Sequence, residues 1–179
     1  KPRVFLRPRF VLKSIFMEIR TMKNSDWPAV AEIYQQGMDT GFATFEKVVP
    51  SFEVWDASHL AVGRLVAVNG ETILGWAALS PVSSRCVYGG VAEVSVYIGQ
   101  GNRGKGVGKM LMQQLIFESE KAGLWTLQSG IFPENEGSVE LHLKMGFRFI
   151  GKRERVGKRD NVWKDNLLFE RRSTVVGMD

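Results

Sequence analysis

Apolar residues recur along this chain at two spacings, one helical and one alternating, and their order predicts the architecture. A short strand is expected over Glu18 to Met22. In the following segment, Asn24 to Pro28, Ser25 or Asp26 caps a helix with Pro28 in its first turn. Val30, Ile33, Tyr34 and Met38 then recur at helical spacing to about Asp39. A weaker helix is expected over Ser51 to Leu60. Gly63 to Val68 and Glu71 to Ser80 read as strands joined by a tight Asn69-Gly70 turn. From Ala92 to Ile98, Glu93, Ser95 and Tyr97 alternate with Val94, Val96 and Ile98, as in a strand. Val107, Leu111, Met112, Leu115 and Ile116 make one face of a helix ending near Gly123. A strand over Leu124 to Phe132, a helix over Glu136 to Met145, and strands near Phe147 to Arg155 and Trp163 to Arg171 complete the pattern. Strands alternating with helices after a hairpin indicate an α/β fold with a mixed sheet.

The chain has 179 residues, 44% hydrophobic and 24% charged, the size and composition of one globular domain. Its uninterrupted apolar stretches, such as Trp76 to Leu79, are far shorter than the ~20 residues of a membrane helix. The net charge of +5 suggests a nucleic-acid partner only until it is located. Lys1, Arg3, Arg7, Arg9 and Lys13 lie in a segment, 1–16, that holds no acid. Removing these five from the 24 basic residues leaves 19 to balance 19 acidic ones. The body is neutral, and no nucleic-acid partner is expected. Arg7, Pro8 and Arg9 break any signal-peptide core, so residues 1–16 are read as a vector-derived or mis-start tail. Residues 17–172 form a single domain and 173–179 a C-terminal tail. Cys86 is the only cysteine and His59 and His142 the only histidines, which excludes an intramolecular disulfide, fits a reducing cytoplasm and makes a metal site improbable.

The most informative stretch is Arg103-Gly104-Lys105-Gly106-Val107-Gly108, between a strand and a helix. Free amides at the positive end of a helix dipole make an anion site for phosphate, and glycines let the backbone approach the anion. Gly108 is followed by Lys109 and Met110 rather than Lys-Ser/Thr, which argues against a mononucleotide P-loop. The motif also comes too late in the chain for a Rossmann dinucleotide fingerprint.

That string resembles the acetyl-CoA pyrophosphate loop of the GNAT superfamily of N-acetyltransferases. Asn135, Ser138 and Leu141 to Phe147 resemble its second cofactor segment. Ala43 to Glu46, Ser84 to Tyr88, Ala92 to Ile98, and Trp163 with Asp165 are similar to the phosphinothricin and methionine sulfoximine acetyltransferase subfamily. The resemblance implies a twisted mixed sheet of six to seven strands with flanking helices and one splayed parallel pair. Acetyl-CoA inserts between these strands, against Val94, Val96 and Tyr97, with its pyrophosphate on Arg103, Gly104, Lys105, Gly106, Val107, Gly108 and Lys109. Asn135 and Ser138 are expected to complete the cofactor site, with no metal.

The resemblance further implies acetyl transfer to the α-amine of a small amino acid or analogue, by direct attack in a ternary complex. Glu93 is the expected general base, directly or through a water, and His142 the expected proton donor to the leaving thiolate. Arg85, with Tyr88, is expected to clamp the acceptor carboxylate, and Thr44, Phe45 and Glu46 to wall the pocket. One departure is Val91, where relatives commonly have Thr two residues before the Glu. The rival readings are the same chemistry on a protein N-terminus, polyamine or aminoglycoside, and a non-catalytic acetyl-CoA-binding module. A cytoplasmic homodimer acting on a small-molecule amine, away from membranes, is the family expectation.

Overall fold

The computed structural model describes residues 17–178; the tail expected at 1–16 lies outside them. Seven strands form one sheet: β1 (Glu18–Thr21), β2 (Leu65–Asn69), β3 (Thr72–Pro81), β4 (Val91–Ile98), β5 (Thr126–Ile131), β6 (Arg148–Arg159) and β7 (Val162–Arg172), in the order β1-β2-β3-β4-β5-β7-β6. Only β4 and β5 pair in parallel. Four helices pack around the sheet: α1 (Trp27–Asp39), α2 (Phe52–Ser58), α3 (Val107–Lys121) and α4 (Glu136–Lys144). The mixed α/β architecture is the one the hydrophobic pattern predicts.

Successive side chains of a strand point to opposite faces, and here both faces are covered. Leu65, Ala67, Leu74, Ala77 and Leu79 pack with Leu111, Met112 and Leu115 of α3. Val66, Val68, Trp76 and Ala78 meet Val30 and Ile33 of α1 and Trp55 of α2 on the other side. Double coverage explains why β3 is buried continuously from Leu74 to Leu79 rather than alternating.

Two turns differ from the sequence expectation. Asn69 is the last ladder residue of β2, paired with Thr72, so the turn is Gly70-Glu71 rather than Asn69-Gly70. Gly70 takes φ +60°, the left-handed value that the first central position of this hairpin requires. The last hairpin is longer than predicted. β6 runs to Arg159 and turns through Asp160 and Asn161, both left-handed at φ 50° and 62°, the residue types that tolerate this region best. Its pairing slips between Arg153 and Gly157, where Arg155 adopts φ 48° and its amide bonds the Asp165 carboxylate at 2.9 Å. A bulge of this kind bends the strand and increases its local twist.

The expected C-terminal tail is tied down as far as it is described. The Arg172 guanidinium donates to the Val176 carbonyl at 2.7 Å, and Ser173 is buried with its hydroxyl on Glu120.

Candidate active site

β4 and β5 share three register pairs, Val91 with Thr126, Ala92 with Leu127 and Glu93 with Gln128, and then part. Beyond Glu93, β4 stays on β3 while β5 stays on β7, because each has a full antiparallel ladder on its other side. The backbones of 94–97 and 129–131 are left facing one another across a cavity of about 290 Å³. A second cavity of about 420 Å³ opens between this point and the β6–β7 hairpin. Glu93, Phe45, Ser129, Gly130 and Asn166 line both, so the last paired residue of β4 is also where the two cavities meet.

The Glu93 side chain is reached by solvent from the cleft, yet protein walls crowd it. The resulting desolvation raises its pKa above the ordinary carboxylate value, opposed by the Arg153 guanidinium and the Gly130 amide. A carboxyl so placed keeps its proton to higher pH than a surface glutamate. That moves it toward the range in which a general base works best.

At the far end of β4, the glycine-rich loop enters α3. Gly104 and Gly106 adopt φ +72° and +84°, and a Cβ on either would meet open space. Gly106 caps α3, and the first amide bonded back is Met110, to Gly106 at 3.1 Å. The amides of Val107, Gly108 and Lys109 precede it and remain the free donors of a helix N-terminus. Gly108 serves packing: a Cβ there would lie 3.2 Å from Leu141 of α4. Arg103 and Lys105 bond the carbonyls of Ile98 and Gly101, which folds their charges back over the loop. An open, cationic, donor-rich cradle that follows β4, the strand bordering the gap, fits acetyl-CoA. Val94 and Val96 border that gap, whereas the Tyr97 ring stacks on Trp76 at 4.8 Å, so Tyr97 faces the gap chiefly with its backbone.

The start of α4 forms the opposite wall. The Asn135 side chain accepts from the Ser138 amide at 3.3 Å, capping the helix, and both residues line the smaller cavity with His142. His142 is 3% exposed. Its Nδ1 lies 2.7 Å from the Ser138 carbonyl, which can only accept, so Nδ1 carries the ring's hydrogen. Burial lowers the imidazole pKa, and the neutral ring presents Nε2 as an acceptor without a protein partner among the described residues. The one N–H of this ring is engaged, so a proton reaches a leaving group from His142 only after Nε2 has first taken one up.

The segment Thr44 to Glu46 is brought to the cleft as expected. What holds it is a residue that sequence reasoning missed. Arg159, 9% exposed, donates to the carbonyls of Thr44, Glu46 at 2.8 Å and Met38 at 2.7 Å. Phe45 thereby packs edge-on to Phe132 at 4.5 Å, with Gly157 of β6 close enough that a Cβ would reach its ring at 2.7 Å. Arg85 and Tyr88 are not among the residues lining either cavity. The loop before β4 ends in a 3₁₀ turn, Cys86–Tyr88, that leaves Arg85 and Tyr88 exposed with the guanidinium 5.7 Å from the Tyr88 ring centre. The cation that does line a cavity is Arg153, likewise missed. In sequence it lies in the strand expected near Phe147 to Arg155, within a basic run, Lys152 to Arg159, that marks out none of its members; the sheet order and the bulge place it on the cavity wall with Glu93. Among the described residues, no three metal-ligating side chains cluster, and no helix is long and apolar enough to cross a membrane.

Residues 20–147 match the acetyltransferase (GNAT) family. A phosphinothricin N-acetyltransferase of Alcaligenes faecalis is 32% identical over 159 residues, covering 86% of this chain and 81% of that protein. An L-methionine sulfoximine/L-methionine sulfone acetyltransferase of Salmonella typhimurium is 28% identical over 154 residues, covering 83% and 90%. In structure, a phosphinothricin acetyltransferase from Sinorhizobium meliloti in complex with acetyl-CoA superposes with a TM-score of 0.81 over 91% of each chain, at 24% identity, a likeness of fold. The parted strands, the glycine-cradled helix start and these likenesses together make the chain a member of the GNAT family, an acetyl-CoA-dependent N-acetyltransferase.

Proposed function

We propose that this enzyme acetylates the α-amine of a small amino acid or amino-acid analogue of the phosphinothricin or methionine sulfoximine type, by direct attack within a ternary complex. The observation that carries this reading is the position of Glu93 at the junction of the two cavities. The cavity between the strands suits the acetylated pantetheine arm and the other suits the acceptor, so the reacting atoms would meet beside one carboxylate. Acetyl-CoA supplies the activated acyl group. Backbone amides of β4 beyond Glu93 would donate to the thioester carbonyl as negative charge grows on its oxygen. Glu93, directly or through a water, would take the proton that the amine must lose. Names of relatives, among them the two above, support an amino-acid-like acceptor. We further propose a cytoplasmic homodimer, on the family resemblance.

The test is a thiol-release assay with acetyl-CoA against the common amino acids, phosphinothricin, methionine sulfoximine, polyamines and an alanine-terminated peptide. Turnover at least tenfold greater with one or more amino acids or analogues is expected; equal or greater turnover with polyamine or peptide would sink the reading.

The cofactor half makes a separate prediction. Gly106→Val forces a β-branched residue into the left-handed region, at a strain of about 1–2 kcal/mol, and puts methyl groups into the space above the loop. Acetyl-CoA affinity measured by calorimetry is expected to fall roughly 10- to 100-fold. An unchanged Kd in a folded variant would remove the pyrophosphate from this loop.

A further inference from the structure

The larger cavity is lined by an arginine, Arg153, whose charge Glu93 feels without a direct contact between them. Its walls are mixed: Ile150, Val156, Leu168 and Phe169 are apolar, while Gln128, Asn166, Arg153 and a second carboxylate, Glu170, offer polar groups beside Glu93. Arg153 is the one lysine or arginine among the described residues lining either cavity. It makes no hydrogen bond or ion pair among them, although acids are plentiful nearby. Glu154 and Asp165 are taken by Lys152 at 3.0 and 3.3 Å, and Glu170 by Arg148 at 2.5 Å. The bulge begins immediately after Arg153, and its register partner on β7 is Asn166, which reaches both cavities. Bulges re-aim side chains at the rims of sites, and here Arg153, the last residue before the slip, lines the cavity that Glu93 also lines.

We infer that Arg153 is a specificity-determining residue that pairs with an oxyanion of the acceptor, a carboxylate or phosphinate, while the acceptor's amine is held at Glu93. A guanidinium presents a planar fork of donors matched to two oxygens of one oxyanion. Glu93 and Arg153 on the walls of one cavity complement a molecule that carries an ammonium and an oxyanion. This assignment rests on the reading of Glu93 as the base. It also gives the acceptor's anion to Arg153 rather than to Arg85, which stands outside the cavity.

The experiment measures kcat/KM with acetyl-CoA for matched acceptor pairs, in the wild type and in Arg153→Leu, Arg153→Lys and Arg85→Ala. One pair is methionine sulfone and its carboxamide, which differ in the α-carboxylate. The other is phosphinothricin and glutamine, which differ in the side-chain oxyanion. In the wild type the oxyanion-bearing member of at least one pair is expected to be preferred roughly 10- to 100-fold. The pair that shows the preference locates the group. In Arg153→Leu that preference should collapse to within about twofold, because each change removes one side of the same contact. Arg153→Lys should restore part of it, and KM for acetyl-CoA should stay level throughout. A preference that survives intact in Arg153→Leu, that is lost instead in Arg85→Ala, or that is absent from the wild type overturns the inference. If amines lacking an oxyanion react equally well and activity still depends on Glu93, this inference fails and the base assignment stands. If activity does not depend on Glu93, the reading beneath it fails as well.

Discussion

Glu93→Gln is expected to lower kcat by roughly 10² to 10⁴ while leaving the Kd for acetyl-CoA nearly unchanged. The amide is close to isosteric but cannot take a proton, and the cofactor would touch the backbone of β4 beyond this residue rather than the carboxylate. The pH dependence gives a second handle. Crowding by the cleft raises the pKa of Glu93, so its basic form accumulates only above the ordinary carboxylate range. In the wild type, kcat/KM should therefore rise with pH through that raised value, and this limb should vanish in the variant. Stability moves the opposite way. A carboxyl whose pKa is higher in the folded state than in the unfolded one stabilises the fold below the unfolded pKa, and the contribution is lost as pH rises through the folded pKa. At pH 7 the ionised Glu93 thus disfavours folding, and Glu93→Gln should melt no lower than the wild type. A pH-rate profile beside a thermal melt separates lost chemistry from lost structure. A fully active variant with the same acid limb would dismiss Glu93 as the base.

The second large effect is expected at Arg159. Its guanidinium gathers three backbone carbonyls, from the end of α1 and from the segment that carries Phe45, at a position 9% exposed. Arg159→Met keeps most of the stem but leaves those carbonyls, one buried and two partly buried, without their donor, and the loss of a charged partner costs about 3 kcal/mol over the three. For a domain of this size, that is a fall in Tm of about 6–12 °C. The segment from Thr44 to Glu46 would loosen with it. Since Phe45 borders both cavities, KM for the acceptor should rise while KM for acetyl-CoA changes less. Arg159→Lys should recover only part of both losses, because one ammonium cannot span the same three carbonyls with a planar fork's geometry. Scanning calorimetry and steady-state kinetics on the two variants check the prediction. A fall in Tm without any change in acceptor KM would reduce Arg159 to a structural tie.

Much of this enzyme is written locally. The helical spacing of Val30, Ile33 and Met38, the alternation from Ala92 to Ile98 and the apolar face of α3 each depend on neighbours a few residues away, where backbone sterics and side-chain direction set the periodicity. The glycine-rich loop is legible for the same reason. Left-handed backbone at 104 and 106 requires glycine, and the helix that follows supplies its free amides within one turn. Sequence reading therefore reached the fold class and the geometry of the glycine-rich loop, and it singled out Glu93 as the candidate base.

What only the tertiary structure decided involves residues far apart in the chain. Arg159 lies 115 residues from Thr44, whose carbonyl it holds, and nothing in the basic run from Lys152 to Arg159 distinguishes its one buried member from exposed neighbours. Arg153 shares a cavity wall with Glu93 because β7 is inserted between β5 and β6 and because β6 bulges just after it. Arg85 is only eight residues from Glu93, yet an intervening 3₁₀ turn holds it outside the cavities. The protonated nitrogen of His142 follows from the position of the Ser138 carbonyl one helical turn away, and the low pKa of its ring from burial. Periodicity and turn chemistry are local properties, so the sequence determines them. Which charged side chain faces a cavity, which is buried and which proton a ring keeps depend on strand order, register and desolvation, and these exist only once the sheet has closed.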